Sequence, residues 1–417
     1  MVTQHYPPSE MVAGRRTAGF ARYLERLGHR VTVVTARTLG SGPRPAAGDV
    51  VVTRDLMSSR LNWRRRNLRA LTGDAPGDAY TASASRLARV IVPDVTALTW
   101  LPQMLPAVAR LARRRHVDCV LTTSGPESVH AAGAWLRRRG IGWIADLRDG
   151  WTFESIHDFP PPLRRLDASL ERAAITRADV VTAVSEPIAD DLRARYGADA
   201  HTLPNGYDPE DVPPARDGDP LLDPDRFSLV HTGRIAAGQR TPAPLLEAIR
   251  LLRDRSPETG GRIELVLAGP LTAEEAALIA APDLRGAVRH VGTLPRARAL
   301  ELQRAASGLL LLTSGSRRGE ATGKLFEYLA AERPILVLGD GSEAARIVRA
   351  TASGRIAPAG DVPGIATALE ELVAEVAPRQ EDPAVPRTDY SYPRLTAQLA
   401  ELVELAVERA ERRKTSP

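Results

Sequence analysis

The sequence has little cysteine, little lysine and few aromatic residues. Of its 417 residues, one is cysteine (Cys119) and 4% are aromatic, which excludes a disulfide-stapled scaffold and a cysteine-ligated zinc site. No apolar run reaches the roughly 18 residues of a membrane-spanning helix, and the first residues do not have the pattern of a signal peptide. These absences predict a soluble, cytoplasmic protein.

Arginine supplies almost all of the positive charge. Lys324 and Lys414 are the two lysines among 56 basic residues, against 51 acidic ones, and the formal net charge is +5. Acidic residues are spread along the whole chain, so no nucleic-acid-binding face is predicted. The densest basic cluster, Arg60–Arg69, would suit peripheral contact with an anionic membrane. A solvated loop is the interpretation that we favour, because runs of charge are usually solvated.

Two familiar nucleotide-binding signatures are missing as well. The glycines of the stretch from Gly14 to Gly19 do not have the spacing of a dinucleotide-binding fingerprint, and the chain contains no P-loop. A nicotinamide-dependent enzyme and a P-loop nucleotidase are therefore not expected.

Short β-rich runs alternate with amphipathic helical stretches along nearly the whole chain, which is typical of parallel sheets covered by helices on both faces. The predicted strands of the first half are Val31–Thr35, Val50–Thr53, Cys119–Thr123, Trp143–Asp146, Val180–Val184 and Thr202–Pro204. Those of the second half are Ser228–His231, Ile263–Leu267, Val288–Val291, Gly308–Leu312, Ile335–Leu338 and Arg355–Ala357. The predicted fold class is α/β, with two doubly wound, Rossmann-like domains.

A stretch rich in proline and aspartate, Pro204–Pro224, interrupts this alternation and predicts a linker. We therefore expect a first domain over 1–205 and a second over 206–390. A last helix within 391–417 is expected to return to the first domain. Residues 1–5 leave room for only a short first strand, unless the start lies a little late. Ligands of such folds bind at the carboxyl ends of the strands, so we expect the site in a cleft between two facing domains.

Groups suited to phosphate binding follow two strands of the second half. The segment His231-Thr-Gly-Arg234 ends one strand, and Arg240 precedes a helix expected to begin near Pro242. A helix N-terminus flanked by guanidinium groups can bind a diphosphate without a metal ion. The alternative is a pair of surface arginines.

A second helix start carries Lys324. Thr322 is a predicted helix cap, and the amides of Gly323 and Lys324 follow it. Glu327, one turn into the helix, could accept hydrogen bonds from the two hydroxyls of a ribose. A glutamate on the helix surface without a ligand is the alternative.

Charged residues also follow two strands of the first half. His130 lies in the first turn of a helix, and Asp146, Arg148 and Asp149 follow a buried strand together with Trp151. At the carboxyl ends of strands these residues suit a binding site. A structural histidine and an internal Asp–Arg pair are the alternatives.

The order of these segments resembles family 4 of the retaining glycosyltransferases, which have the two-domain GT-B fold. The resemblance covers nearly the whole chain, and its most specific segment is Lys324-Leu-Phe-Glu-Tyr-Leu-Ala-Ala-Glu-Arg-Pro-Ile. The other segments that carry it are Tyr6-Pro-Pro with Gly14 and Arg16, Gly28-His-Arg-Val-Thr-Val-Val-Thr, Ser124-Gly-Pro with His130, and Leu203-Pro-Asn-Gly-Tyr-Asp208. The segment Arg148-Asp-Gly-Trp151 is similar to the R-D-P-W segment of one subgroup, with Gly150 in place of proline.

This resemblance implies a role for each matching residue. The implied catalytic set is His130, which would face the transferred sugar, with Arg234, Lys324 and Glu320. Glu320 is displaced by one residue from the usual family spacing relative to Glu327. The implied donor-binding residues are Gly14, Arg16, Gly233, Arg240, Thr322, Gly323, Leu325 and Glu327. The acceptor side of the cleft would include Asp146, Arg148, Asp149 and Asn205.

The expected reaction is transfer of a sugar from a UDP- or GDP-linked donor, with retention of the anomeric configuration. No metal ion and no cofactor beyond the nucleotide sugar are expected. The expected acceptor is a small molecule of secondary metabolism, and a lipid-linked or polysaccharide acceptor is the alternative. Two further alternatives share this fold: an epimerase of nucleotide sugars and a non-catalytic protein that binds them.

Overall fold

The computed structural model describes residues 1–7, 12–37, 49–56, 93–94, 96–155, 159–214, 218–235, 241–314, 317–374 and 385–415. The chain divides into two compact units. The first unit consists of Met1–Pro204 with Tyr392–Pro417, and the second of Asn205–Ser391. Each unit is described by itself below. The basic cluster Arg60–Arg69 and Arg240 lie outside the described residues.

The strands that the structure describes in the first unit are all parallel. They are β1 (Thr32–Arg37), β2 (Asp49–Arg54), β3 (Cys119–Thr123), β4 (Gly142–Leu147), β5 (Val180–Ala183) and β6 (Ala200–Thr202). They pair as β1–β2 and in the order β3-β4-β5-β6. Val2 forms parallel bridges to both Val34 of β1 and Thr122 of β3. The first three residues therefore join the two sets of strands, and this short segment has a central place in the sheet.

Among the described residues of the first unit, six helices come before Pro204. They are α1 (Val12–Arg26), α2 (Thr96–Thr99), α3 (Leu101–Arg114), α4 (His130–Arg137), α5 (Pro161–Ile175) and α6 (Glu186–Tyr196). Strand β4 is buried along its whole length, as expected for a parallel strand covered on both faces. Helix α1 begins at Val12, whereas the sequence pattern predicts its start at Gly19. Gly14 and Arg16 consequently lie in a helix, whereas the family resemblance implies a glycine loop at these positions.

In the part of the second unit that the structure describes, six strands form one parallel sheet, in the order β12-β11-β10-β7-β8-β9. Its strands are β7 (Phe227–Thr232), β8 (Ile263–Ala268), β9 (Val288–His290), β10 (Gly308–Leu312), β11 (Ile335–Leu338) and β12 (Gly354–Ala357). Its helices are α7 (Ala243–Arg255), α8 (Pro257–Arg262), α9 (Ala273–Ile279), α10 (Arg296–Ala305), α11 (Gly323–Ala331), α12 (Glu343–Ala350) and α13 (Val362–Ala374). The order reverses at β7, which is the doubly wound topology, so the predicted fold class is confirmed.

The last helix, α14 (Tyr392–Thr415), belongs to the first unit. Leu395, Leu399 and Ala406 of α14 are buried in one apolar cluster with Phe20 of α1 and Ile144 of β4. Near the end of α14, the contact with the rest of the unit is polar: Arg413 donates a hydrogen bond to the carboxylate of Asp179. Among the described helices, none is both long enough and apolar enough to cross a membrane.

A glycine of α4 permits close packing against the neighbouring strand. A Cβ atom at Gly133 would lie 1.9 Å from Nε1 of Trp143, whose side chain is completely buried. We expect Gly133→Ala to lower the free energy of unfolding by about 1–3 kcal/mol, because an indole in a packed core cannot move aside. Urea unfolding measures this loss. The matched control is Gly261→Ala in α8, where the added Cβ meets no atom within 4 Å. Equal stability of these two variants would contradict the packing argument.

Candidate functional site

A lysine and a histidine meet where strand β7 of the second unit ends. Nζ of Lys324, the second residue of α11, donates a hydrogen bond of 2.7 Å to the backbone oxygen of Arg234. The same Nζ lies 3.1 Å from Nε2 of His231. His231 belongs to β7 and is only 2% exposed, whereas the Arg234 side chain is exposed. The second unit thus brings Lys324 beside the predicted phosphate segment.

Gly233 allows the lysine to approach this turn closely. Its backbone has φ +85°, and a Cβ atom at this position would lie 3.1 Å from Cε of Lys324. The neighbouring turn is fixed by two buried side chains of the second unit. The hydroxyl of Tyr328 accepts a hydrogen bond from the backbone N–H of Thr232, and Gln303 donates one to the Thr232 hydroxyl. Burial raises the pKa of Tyr328 to about 12, so its hydroxyl stays protonated near neutral pH.

Thr322 occupies the N-cap position of α11, as predicted, but its side chain makes no capping hydrogen bond. Thr322 has φ −70° and ψ 156°, and its buried hydroxyl has no hydrogen-bond partner among the described residues. Gly323 and Lys324 contribute the first two amides of the helix. The amide of Leu325 already donates to the oxygen of Thr322, at 3.1 Å, and its side chain is completely buried. Leu325 therefore contributes to the core of the unit, and its predicted contact with a donor stays a prediction.

The two glutamates of this segment have different surroundings. The carboxylate of Glu320 accepts hydrogen bonds from the backbone N–H and the hydroxyl of Ser314, at 2.9 and 2.7 Å. It thereby ties its own loop to the segment that follows β10. Glu327 has one carboxylate oxygen 3.4 Å from the guanidinium of Arg296, and 19% of its side chain is exposed. The roles predicted for both glutamates stay predictions.

In the first unit, His130 lies in a cage of aromatic and hydroxyl side chains. Its Nδ1 is 2.9 Å from the hydroxyl of Thr122, which also accepts a hydrogen bond from the indole N–H of Trp143. The ring stacks on Trp151, with ring centroids 5.7 Å apart and an interplanar angle of 23°. His130 is 2% exposed, and its Nε2 has no partner among the described residues. The contact with the transferred sugar that is predicted for His130 stays a prediction.

Burial lowers the pKa of His130 to about 4, with Asp146 acting weakly in the opposite direction. The ring is therefore neutral near pH 7. In the unfolded chain a histidine binds its proton near pH 6.5, whereas folded His130 excludes it until about pH 4, so acid favours unfolding over this interval. Between pH 6.5 and 4, the wild-type chain should lose about 3 kcal/mol more stability than His130→Gln. Urea unfolding of both proteins at several pH values measures the difference. If the stabilities of the two proteins changed with pH in the same way, the ring of His130 could not be buried and neutral.

Arg16 and Asp146 contact each other. Nη1 of Arg16 lies 2.5 Å from one carboxylate oxygen of Asp146, and Nη2 lies 3.1 Å from the other. Nη2 also donates to the backbone oxygen of Leu203 at 2.7 Å, and Thr182 donates to the carboxylate at 2.8 Å. The exposed fractions of the two side chains are 1% and 0%. The internal Asp–Arg pairing that the sequence left open is thus present, but with Arg16 in place of Arg148, and neither group faces solvent.

Arg148 is bound by the turn after β3. Its Nε donates to the backbone oxygen of Ser124 at 2.6 Å, and its backbone N–H donates to the Ser124 hydroxyl at 3.0 Å. Asp149 is exposed, and Asn205 is the first residue of the second unit. The predicted contact of these three residues with an acceptor stays a prediction.

Sequence reasoning missed the side chains that hold the predicted residues in place. Trp151 donates its indole N–H to Asp167 at 2.8 Å, and the next residue, Thr152, donates its backbone N–H to Glu171 at 3.2 Å. Both carboxylates belong to α5, where the periodicity of the sequence indicates only an amphipathic helix. His231 was inside the segment singled out as phosphate-binding but received no role. Its position, next to the last residue of a buried strand, is the signal in the sequence that could have indicated a role at the site.

Comparisons with known proteins agree with the fold. Residues 13–211 match the model of "Glycosyltransferase Family 4", and residues 226–375 match that of "Glycosyl transferases group 1". No curated protein matches the sequence. Among the described residues, no group of three or more His, Cys, Asp or Glu side chains could hold a metal ion.

Several solved structures are similar over nearly their whole length. The sucrose-phosphate synthase of Thermosynechococcus elongatus is 16% identical, with a TM-score of 0.59, and the match covers 99% of this chain and 97% of that one. A UDP-forming trehalose-phosphate synthase of Burkholderia xenovorans is 13% identical, with a TM-score of 0.61 and coverage of 97% and 98%. Anabaena HepE, solved in complex with UDP, is 12% identical, with a TM-score of 0.60 and coverage of 97% and 98%.

Proposed function

Since this chain belongs to the family 4 glycosyltransferases of the GT-B type, we propose that it transfers a sugar from a nucleoside diphosphate sugar to an acceptor nucleophile, with retention of configuration and without a metal ion. The observation that carries the proposal is the Lys324 ammonium, held 2.7 Å from the Arg234 oxygen at the start of α11. Negative charge grows on a diphosphate as it leaves the sugar. An ammonium group beside helix amides is suited to stabilise that charge.

A uridine nucleotide is the donor that we propose to test first. The solved structure of HepE contains UDP, and the trehalose-phosphate synthase of Burkholderia xenovorans is described as UDP-forming. In this chain, Glu327 is the proposed acceptor of the ribose hydroxyls, with Arg296 beside it. The buried Nε2 of His130 is the proposed contact of the transferred sugar.

We expect UDP to stabilise the protein against heat in the absence of magnesium. At 100 times its dissociation constant, a ligand that binds only the folded state adds about 2.7 kcal/mol to the stability of the unit that binds it. Scanning calorimetry with UDP, GDP and ADP, each with EDTA and with magnesium, measures this shift and ranks the bases. Stabilisation that strictly required magnesium would contradict the proposed metal-independent site. No shift with any nucleoside diphosphate would contradict the donor itself.

The proposed acceptor is a small molecule. Release of UDP from a UDP-sugar should then require a fraction of small metabolites and not a lipid extract or a polysaccharide. Configuration at the anomeric carbon of the purified product tests retention. Conversion of the donor to an epimer without any acceptor would instead identify an epimerase, and binding of the donor without turnover would identify a binding protein.

A further inference from the structure

The ring of His231 connects strand β10 of the second unit to Lys324. Its Nδ1 lies 2.9 Å from the backbone oxygen of Leu310, and its Nε2 lies 3.1 Å from Nζ of Lys324. The ring is 2% exposed. Both nitrogens therefore have partners inside the protein, and the two partners belong to different elements, β10 and α11.

These two contacts determine which nitrogen carries the proton. A backbone oxygen only accepts hydrogen bonds, so Nδ1 must be the protonated nitrogen that donates to Leu310. In the neutral ring Nε2 then has a lone pair, and it accepts a hydrogen bond from the Lys324 ammonium. Nε2 also lies 3.3 Å from the Arg234 oxygen. These two atoms form no hydrogen bond with each other, because neither carries a proton. Instead, both accept a hydrogen bond from the Lys324 ammonium.

The ammonium group of Lys324 is thus held by two acceptors, Nε2 of His231 and the backbone oxygen of Arg234. Gly233, which has no side chain, leaves room for the lysine beside them. A lysine side chain is long and flexible, and fixing it on ligand binding costs conformational entropy. A lysine that is already held in place loses less freedom when a diphosphate binds. We propose that His231 is a positioning residue, which holds the Lys324 ammonium at the donor-binding end of α11. Its effect on donor binding rests on the proposed function, whereas the position of the ammonium does not.

The first test uses chemistry that needs no nucleotide. Lys324 and Lys414 are the two lysines of the chain, and Lys414 is exposed. A held ammonium reacts slowly with an amine-directed reagent, because it must leave its acceptors and lose a proton before it can attack. Labelling each lysine with an acetylating reagent and following its peptide by mass spectrometry gives both rates in one sample. Lys414 serves as the internal reference.

Three substitutions separate the two contacts of the ring. His231→Asn keeps a donor for Leu310 but has no acceptor that reaches Lys324, and His231→Phe removes both nitrogens. His231→Gln keeps an acceptor near the position of Nε2. We expect labelling of Lys324 to become at least about threefold faster in the Asn and Phe variants and to stay near the wild-type rate in the Gln variant. Equal rates for Lys324 in all four proteins would overturn the proposal.

The second test asks whether His231 acts on nucleotide binding through the lysine. In the wild-type background, His231→Asn should weaken UDP binding about tenfold, and in a Lys324→Ala background less than about twofold. An equal loss of UDP affinity in both backgrounds would mean that His231 has a purely structural role. It would overturn the proposal that His231 acts on nucleotide binding through Lys324. If wild-type protein binds no nucleoside diphosphate, the proposed function fails, while the labelling rates still decide whether His231 holds the ammonium.

Discussion

Asp146→Ala is expected to lower the free energy of unfolding of the first unit by about 3–5 kcal/mol. The substitution leaves the Arg16 guanidinium inside the protein, 1% exposed, with the Leu203 oxygen as its remaining acceptor. A buried positive charge without its carboxylate is one of the most costly defects that a single substitution can create. It also removes the hydrogen bond that Thr182 donates to the carboxylate.

Tryptophan fluorescence reports this unit alone. All five tryptophans of the chain precede residue 205, so the second unit does not contribute to the signal. The control is the double variant Arg16→Met with Asp146→Leu, which removes both charges and keeps apolar volume. It should be more stable than Asp146→Ala, although it carries one more substitution. A loss below about 1 kcal/mol for Asp146→Ala would show that water reaches the pair.

The second large effect is expected at Lys324, and it concerns activity. Lys324→Ala should lower the rate of sugar transfer by about 10²–10³-fold, which corresponds to about 3–4 kcal/mol of transition-state stabilisation. The ammonium is held at the first turn of α11, and nothing in an alanine side chain can replace its charge. The rate of UDP release with saturating donor and acceptor measures the effect on the chemical step.

Lys414→Ala is the matched control, because it removes the other lysine from an exposed position near the end of α14. Its rate should equal that of the wild type. Lys324→Arg keeps a positive charge but has a larger, planar group, so we expect only partial activity. A Lys324→Ala enzyme with unchanged turnover would remove the central element of the proposed mechanism.

The strands of the second unit were predicted to within one residue at each end, whereas β6 (Ala200–Thr202) was predicted two residues late, at Thr202–Pro204. Gly308–Leu312 and Ile335–Leu338 were predicted with their observed bounds, because buried parallel strands are short apolar runs bounded by breakers. Helix α8, Pro257–Arg262, was missed because Gly260 and Gly261 have low helix propensity. Helix α1 was predicted to start late, since Arg15 and Arg16 look like the residues of a polar loop.

The candidate site was readable only in part, for a reason that Arg16 illustrates. The family resemblance implied a donor contact for Arg16, but its partner Asp146 lies 130 residues further along the chain, and no local pattern indicates their pairing. Lys324 stood out because lysine is rare in this sequence. His231 did not, because its role depends on Leu310 and Lys324, which the fold brings to it from other elements.

The return of α14 to the first unit has a consequence for biosynthesis. Leu395, Leu399, Ala406 and other side chains of α14 complete an apolar cluster whose members outside α14 are translated before residue 204. A ribosome must therefore synthesise the whole second unit before the first can close its core. During that interval the surfaces that later receive α14 are exposed, which makes nascent chains of this protein natural clients for chaperones.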